Sequence, residues 1–583
     1  ENLSLFLFLF LFLQPRMHNS KRGRSDLHFV SSLRCILPRL SVCLFVVCCF
    51  LLPLAFVALR SSRAAFLGQR LRVPFATQTR VRMNGHAATN LELESLLEST
   101  PVWKNFKIIA NIPRPSKHEG RILQFLKSYA EKHKLTFVQD KAGNVVIRRA
   151  GSGGGENAPT VVIQGHVDMV TEKNADRDHD FFNDPIKLVK SSDDWLGADG
   201  TTLGADNGVG CAMALALLAA PADAKLPPLE CLFTVDEETG LNGARDLDPA
   251  ILTGKYMLNL DSESWGEVTV GCAGGGDTRI VMPVTLERLH GDWQISTLRI
   301  AGLKGGHSGI NIHEDRGNAV KLLARVLAPL ISMHGVKAVD IGGGDKRNAI
   351  AREASAVIAV RPSSSEAVDA SVRTSMTALT QEYGLMEPDM TIEVTPSSEA
   401  HPSSCLSSSS AFTLVNLLRV LPHGVQKTSH SVAGVPETSN NVASIKRTDD
   451  SAYTIGCSSR SFHGCALQAI RDDLAVLARQ FGAIEVDQPP MYPGWPPNNA
   501  SELLKITESK MKSVLGREPH VVALHAGLEC GVLGEKLPGM DMVSFGPTIT
   551  GAHSPDERVQ ISTVQPCLEV VCRILEEIAD KRG

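Results

Sequence analysis

Several apolar stretches of this 583-residue chain end on a histidine or a carboxylate. In residues 160–170, a β-branched run delivers His166 and Asp168 at its end. Such a run after a loop of small residues predicts a buried strand. Metal ligands and catalytic groups of open α/β sheets collect at the carboxyl ends of strands, which makes His166 a candidate metal ligand. Taken alone, a His-x-Asp pair also fits an ordinary turn.

Asp206 stands at the beginning of a predicted helix. Residues 203–208 read Leu-Gly-Ala-Asp-Asn-Gly and lead into the small, apolar residues 209–220. The default role of an aspartate in this position is to cap the helix. A carboxylate that bridges two metal ions would also be stabilised here, because the free N–H groups of the first turn favour negative charge. The local pattern leaves both roles open.

Three further predicted strands end in candidate ligands. Residues 229–235 lead into three acids, residues 256–260 into Asp261, and residues 541–546 into a loop that contains His553. The three acids are Asp236, Glu237 and Glu238. Successive acids repel one another, and a metal ion would relieve that repulsion by taking one as ligand and leaving a neighbour free as a base. A solvated acidic turn is the alternative for these three residues.

Together these elements supply two imidazoles and several carboxylates. This set suits a pair of Zn²⁺ ions that share one oxygen ligand and leave a coordination position for water. Co²⁺ or Mn²⁺ would accept the same ligands. The chain has 59 basic and 63 acidic side chains, and this near-balance argues against nucleic acid as the main partner.

Residues 1–90 differ in composition from the rest of the chain. They hold 12 Lys or Arg against two acids, and residues 41–59 form an apolar stretch without charge. This pattern predicts a signal peptide or membrane anchor in an otherwise disordered leader, and therefore a membrane-anchored or organelle-targeted protein. A buried globular helix is one alternative, and a downstream translation start that leaves a cytoplasmic protein is another. The 13 cysteines include no CxxC pair, which argues for reduced thiols and against an oxidising destination.

In combination, these motifs resemble those of the M20 metallopeptidases, and most closely the Xaa-His dipeptidase branch (aminoacyl-histidine or PepD-type dipeptidases). The resemblance runs from about residue 90 to the end of the chain and leaves the leader uncovered. It is carried by Gly-His-Val-Asp at 165–168, Leu-Gly-Ala-Asp-Asn-Gly at 203–208, Asp-Glu-Glu-Thr-Gly at 236–240, Asn-Leu-Asp-Ser-Glu at 259–263, Gly-Gly-His-Ser-Gly at 305–309, His-Ala-Gly-Leu-Glu-Cys-Gly at 525–531, Ser-Phe-Gly-Pro at 544–547 and Ala-His-Ser-Pro-Asp-Glu at 552–557.

The resemblance implies a role for each candidate ligand. Two zinc ions would be held by His166, Asp206, Glu238, Asp261 and His553. Asp206 would bridge the ions, Glu238 and His553 would complete one site, and His166 and Asp261 the other. No ligand position that we can match is substituted, which argues against an inactive relative.

Two further residues near these ligands receive roles from the resemblance. Asp168 would orient His166 through a hydrogen bond. Glu237 would be the general base that takes a proton from water activated by the metals and returns it to the leaving amine.

The order of the predicted helices and strands indicates an α/β fold of two parts. A zinc-peptidase catalytic domain, with a mixed sheet flanked by helices, would comprise residues 91–275 and 489–583. The strand-helix-strand pattern of residues 276–488 predicts an inserted α/β-sandwich lid domain with helices over 319–330 and 467–481. The resemblance implies that this lid pairs two copies into a homodimer.

Two lid residues are candidates for substrate binding. His307 has no sequence-local partner, and the resemblance makes it the donor that stabilises the carbonyl oxyanion when the lid closes. Arg460 is our candidate for holding the terminal carboxylate of the substrate, because a guanidinium offers a bidentate fork. An ordinary surface arginine is the alternative.

We therefore expect a di-zinc dipeptidase for short unblocked peptides, with Xaa-His dipeptides preferred. Another hydrolase of the same family is the nearest alternative, either a tripeptide aminopeptidase or an N-acyl amino-acid deacylase, since only pocket contacts would differ. A membrane-tethered binding protein with a vestigial metal site is an alternative of another class. The presence of both Glu237 and Glu238 argues against it.

Overall fold

The structure, a computed structural model, describes residues 90–397 and 402–582. The apolar stretch 41–59, on which the targeting prediction depends, lies outside these residues. Within the described ranges, no helix combines the length and the apolar character needed to cross a bilayer. The nine cysteines in these ranges are free thiols, as the absence of CxxC pairs predicts.

An eight-stranded mixed sheet positions the predicted site. Its four central strands are neighbours that run parallel, so their carboxyl ends share one edge of the sheet. In spatial order, the strands of this sheet are β1 (Thr136–Gln139), β2 (Val145–Arg149), β6 (Leu229–Thr234), β3 (Val161–His166), β7 (Tyr256–Asn259), β21 (Asp541–Ser544), β8 (Glu267–Cys272) and β20 (His520–Leu524).

Both faces of this sheet are buried, which explains why β3 reads as a continuous apolar run. Val161 and Ile163 belong to one core cluster, and Val162 between them belongs to another on the opposite face. The first face packs against α1 (Asn90–Leu97), α2 (Pro101–Ala110), α3 (Gly120–His133), α4 (Ala205–Leu218), α10 (Glu502–Leu515) and α12 (Ile561–Ala579). The second packs against α5 (Asn242–Asp246) and α11 (Glu529–Lys536).

A nine-stranded antiparallel sheet forms from the middle of the chain and has a core of its own. In spatial order its strands are β14 (Thr391–Pro396), β11 (Gln294–Ala301), β13 (Ala354–Val360), β12 (Lys337–Gly343), β17 (Pro436–Asp449), β18 (Ala452–Ser461), β9 (Gly274–Pro283) and β19 (Glu485–Asp487), with β16 (Gly424–Thr428) beside β17. Its helices are α6 (Ala319–His334), α7 (Ser365–Tyr383), α8 (Ser408–Val420) and α9 (Gly464–Gln480).

Smaller elements complete the described chain. A two-stranded sheet joins β10 (Leu286–Arg288) to β15 (Ser404–Leu406), and a four-stranded sheet joins β4 (Leu188–Ser192), β5 (Trp195–Ala198), β23 (Arg558–Gln560) and β22 (Ile549–Thr550). Short 3₁₀ turns occur at Pro249–Ile251, Ile312–Glu314 and Pro362–Ser364.

The predicted mixed sheet with flanking helices is confirmed, and so are the helices predicted over 319–330 and 467–481. The helix predicted over 209–220 is α4, which begins earlier, at Ala205. Its first turn is irregular, because Asp206 and Asn207 have non-helical backbone angles. The candidate ligand Asp206 therefore lies in a distorted helix start.

Candidate active site

The first group of candidate ligands lies where β3 and β7 end. His166 is the last residue of β3, and Asp261 follows β7 by two residues. His166 Nε2 lies 3.0 Å from Asp206 Oδ1 and 3.3 Å from Asp261 Oδ1. One ligand atom from each of these residues lies within 4.8 Å of the others, a spacing that could hold a metal ion.

The second group lies on the other side of Asp206. His553, in the loop between β22 and β23, places Nε2 3.3 Å from Asp206 Oδ2 and 2.9 Å from Glu238 Oε2. The two imidazoles thus face different oxygens of one carboxylate. The structure brings together all five predicted ligands, which were drawn from positions almost 400 residues apart.

The donor set fits divalent cations. The side chains of Asp206, Asp261 and Glu238 are 13%, 7% and 5% exposed, so three carboxylates are withdrawn from water beside only two imidazoles. Burial raises the pKa of Asp261 to about 6 and that of nearby Glu263 to about 8. Both shifts reflect the cost of concentrating negative charge in a buried site, and bound cations would remove that cost.

Asp168 lies behind the first ligand group and is fully buried. Its carboxylate accepts hydrogen bonds from Ser116 Oγ at 2.8 Å and from the backbone N–H groups of Glu237 and Glu238 at 3.1 and 3.2 Å. His166 Nδ1 lies 3.4 Å from Asp168 Oδ1. Burial alone would raise the pKa of Asp168, but the nearby His166 imidazole and the hydrogen bonds from Ser116 and the backbone lower it to about 2. Asp168 is therefore an anion that fixes the positions of its neighbours.

Glu237 lies beside both ligand groups. One of its carboxylate oxygens lies within 4.8 Å of ligand atoms of His166 and Glu238. Burial raises its pKa well above the ordinary value, because water is excluded and other carboxylates are close. A carboxylate in this environment is a stronger base than one on the surface.

Arg114 supports the site, and sequence reasoning missed it. Its guanidinium is buried and donates to the carbonyl oxygens of Val167 at 2.9 Å, Asp168 at 2.8 Å and Gly204 at 2.5 Å. It therefore ties the loop after His166 to the turn before Asp206. An arginine between two prolines, Pro113 and Pro115, has no pattern that would have indicated this role.

His307 lies in a different part of the structure, after β11 of the nine-stranded sheet. Contrary to the sequence expectation, it has local partners: its Nδ1 accepts backbone N–H groups from Gly309 at 3.2 Å and Ile310 at 3.1 Å. Burial and the nearby Arg460 lower the pKa of His307 to about 4, so the ring is neutral near pH 7. Since Nδ1 is an acceptor, the single ring proton is on Nε2.

Arg460, on β18, is buried rather than on the surface. Its Nη2 lies 3.5 Å from His307 Nε2, and its Nη1 donates to Tyr492 Oη at 2.9 Å. Among the contacts of the described residues, none joins His307 or Arg460 to the five ligand candidates. The predicted site residues thus form two sets, and no hydrogen bond or ion pair of the described residues joins one set to the other.

Comparisons with known proteins identify two similar bacterial proteins. The chain is 38% identical over 487 residues to the Escherichia coli (strain K12) protein named cytosol non-specific dipeptidase, covering 84% of this chain and 99% of that protein. It is 39% identical to the solved structure of aminoacylhistidine dipeptidase from Vibrio alginolyticus. That match has a TM-score of 0.77 and covers 83% of this chain and 97% of the other.

The prediction of a membrane-anchored or organelle-targeted protein is contradicted by the first of these comparisons. The Escherichia coli protein, which matches over most of the chain, is named as a protein of the cytosol. The physical reason for the error is that the prediction took apolar and basic composition as its evidence, and composition does not specify a destination.

The family assignment follows from the fold, the site and a match along most of the chain. Residues 162–577 match the family described as Peptidase family M20/M25/M40. This range begins in β3, includes all five ligand candidates and ends in α12. The chain therefore belongs to peptidase family M20/M25/M40 and is a peptide-bond hydrolase.

Proposed function

We propose that this protein is a two-metal dipeptidase that hydrolyses short unblocked peptides and prefers Xaa-His substrates. The observation that carries the proposal is the Asp206 carboxylate, whose two oxygens face His166 and His553. Two similar proteins support the substrate class, since one is named a non-specific dipeptidase and the other an aminoacylhistidine dipeptidase. Only the second name specifies histidine. Both names therefore support dipeptides as the substrate class, and only one supports the preference for histidine.

Asp206 would belong to both metal sites. His166 and Asp261 would complete one, and His553 and Glu238 the other. Imidazole and carboxylate ligands suit Zn²⁺, and Co²⁺ or Mn²⁺ would also bind. When bound, two such ions supply Lewis-acid activation of water and of the peptide carbonyl.

Glu237 is the proposed general base. Its buried carboxylate would take a proton from the attacking water and pass it to the leaving amine nitrogen as the peptide C–N bond breaks. Asp168 would keep Glu237 in place, because it accepts the backbone N–H of that residue.

His307 and Arg460 are the proposed substrate-binding donors. The Nε2–H of a neutral His307 and the Nη2–H of Arg460 are both donors, and their nitrogens lie 3.5 Å apart. Two neighbouring donors do not satisfy each other, so each can bind an acceptor of the substrate. We infer that His307 binds the carbonyl oxygen as it gains charge and that Arg460 binds the terminal carboxylate.

These donors would reach the substrate by movement of a lid formed by residues 276–488. A homodimer through the same residues stays a prediction. The same-family alternatives, a tripeptide aminopeptidase and an N-acyl amino-acid deacylase, would share the ligands and the base and differ in how the ends of the substrate are bound.

Metal dependence tests the proposal directly. We expect the purified protein to contain two divalent ions per chain, to hydrolyse an Xaa-His dipeptide, and to lose this activity on treatment with a chelator. Removal of the ions should also lower the melting temperature, because ligands that bind only the folded state stabilise it by mass action. Turnover that persists after elemental analysis has shown complete removal of the metal would contradict the proposal. A panel of dipeptides, tripeptides and N-acyl amino acids then ranks the substrates.

The Glu237→Gln variant tests the general base. We expect kcat to fall about 10²–10⁴-fold, because the amide cannot accept the proton. The variant should retain both ions, since Glu237 is not a proposed ligand. Glu131→Gln, which changes an exposed glutamate on α3, is the matched control and should keep wild-type kcat. Loss of metal from Glu237→Gln would instead assign this residue to the ligands.

The Arg460→Lys variant and a C-terminally amidated dipeptide together test the carboxylate contact. For a dipeptide with a free C-terminal carboxylate, we expect the KM of the variant to be about tenfold to a hundredfold higher than that of the wild type. This is the effect of losing a charge-assisted hydrogen bond. With the amidated substrate, wild type and variant should have similar kcat/KM, because the contact is already missing. Arg299→Lys, an exposed position on β11 of the same sheet, is the control. An equal loss on both substrates would refute a carboxylate-specific role.

A further inference from the structure

Asp206 does not cap the start of α4. Both of its carboxylate oxygens face imidazoles, and the backbone N–H groups of residues 203–206 donate to another residue. That residue is Glu557, 351 positions later in the chain. One of its oxygens accepts from Leu203 N at 2.7 Å and Gly204 N at 2.9 Å. The other accepts from Ala205 N at 2.8 Å and Asp206 N at 3.2 Å.

The position of Glu557 connects two parts of the candidate metal site. It follows His553 by four residues, and its side chain is only 3% exposed. The loop that carries His553 is therefore fastened to the turn that carries Asp206 through four hydrogen bonds to one carboxylate. His553 Nε2 lies 3.3 Å from Asp206 Oδ2 across this junction.

The turn held by Glu557 is fixed from its other side as well. Gly204 has a φ of +68°, and a Cβ atom at this position would lie 2.4 Å from an Arg114 guanidinium nitrogen. Arg114 binds the Gly204 carbonyl, while Glu557 binds the Gly204 N–H. The peptide groups before Asp206 are thus held by a buried cation and a buried anion, which leaves the Asp206 side chain free.

We propose that Glu557 is a positioning residue that sets the geometry between Asp206 and His553 and so determines the affinity of the metal site they share. It replaces Asp206 as the acceptor at the start of α4, and this replacement makes both Asp206 oxygens available. The inference rests on the proposed two-metal function. Groups that hold a metal ligand in place commonly contribute about tenfold to a hundredfold in metal affinity or activity.

Glu557→Gln is the informative variant. A glutamine has one carbonyl oxygen, and its NH₂ group would point at two of the four N–H donors. Two donors would lose their acceptor, and the turn would shift away from the amide. We expect the affinity of one of the two ions to fall about tenfold to a hundredfold, with the other ion less affected.

The measurement is a titration of the metal-free full chain with Co²⁺, followed by visible absorption, which reports ligand geometry as well as occupancy. Glu230→Gln is the matched control, because Glu230 is also buried and also accepts backbone N–H groups, from Thr253 at 2.8 Å and Gly254 at 3.0 Å. It lies near the start of β6, at the opposite end of that strand from the site.

Weaker Co²⁺ binding in Glu557→Gln with unchanged binding in Glu230→Gln would support the proposal. Wild-type affinity and spectrum in Glu557→Gln would overturn it, and so would equal losses in both variants, which would indicate general destabilisation. If Glu557→Gln does not fold, Glu557→Asp is titrated in its place, and unchanged affinity there overturns the proposal. A wild-type chain that binds fewer than two ions would refute the proposed function itself.

Discussion

The concentration of negative charge at one edge of the eight-stranded sheet is the constraint on which the rest of the structure depends. Asp206, Glu237, Glu238 and Asp261 crowd together there, each largely withdrawn from water. Burying a charge costs several kcal/mol unless it is paired. Among the described residues, the ion pairs of this cluster go to the imidazoles of His166 and His553 and to no lysine or arginine. Such a cluster is suited to binding cations, which would compensate its negative charge.

Carboxylates near this edge fall into two kinds, according to what their oxygens bind. Asp168 and Glu557 accept hydrogen bonds from backbone N–H groups and hold the loops in place. Asp206, by contrast, presents both oxygens to imidazoles. The first kind makes the second possible, because a loop whose N–H groups are already satisfied does not compete for the oxygens of Asp206.

The sequence predicts those features of the site whose signal lies within a few neighbouring residues. An apolar run that ends on His166, or on Asp261, predicts a strand and the edge at which its last residue lies, and parallel neighbours bring such ends together. For Asp206, a helix start suits both a cap and a ligand, so the sequence does not choose between these roles. Glu557, 351 positions later, accepts the N–H groups at this helix start, and no periodic pattern carries information over such a separation. Arg114 was missed for the same reason, since all its partners are distant in sequence.

The same charge argument explains why His307 and Arg460 belong to the other sheet. A guanidinium placed among the carboxylates of the site would pair with them and compete with metal ions for their oxygens. Held on β18, with one nitrogen bound to Tyr492 and another beside a neutral imidazole, Arg460 has no carboxylate partner among its described contacts. Its charge is therefore available to an anion, as the proposed role of Arg460 requires. Separating the two sets of groups on two sheets allows the protein to hold strong acceptors and strong donors without their neutralising each other. In the proposed function, the donors on the nine-stranded sheet would bind the carbonyl oxygen and the terminal carboxylate of the substrate, while the carboxylates of the eight-stranded sheet would hold the cations.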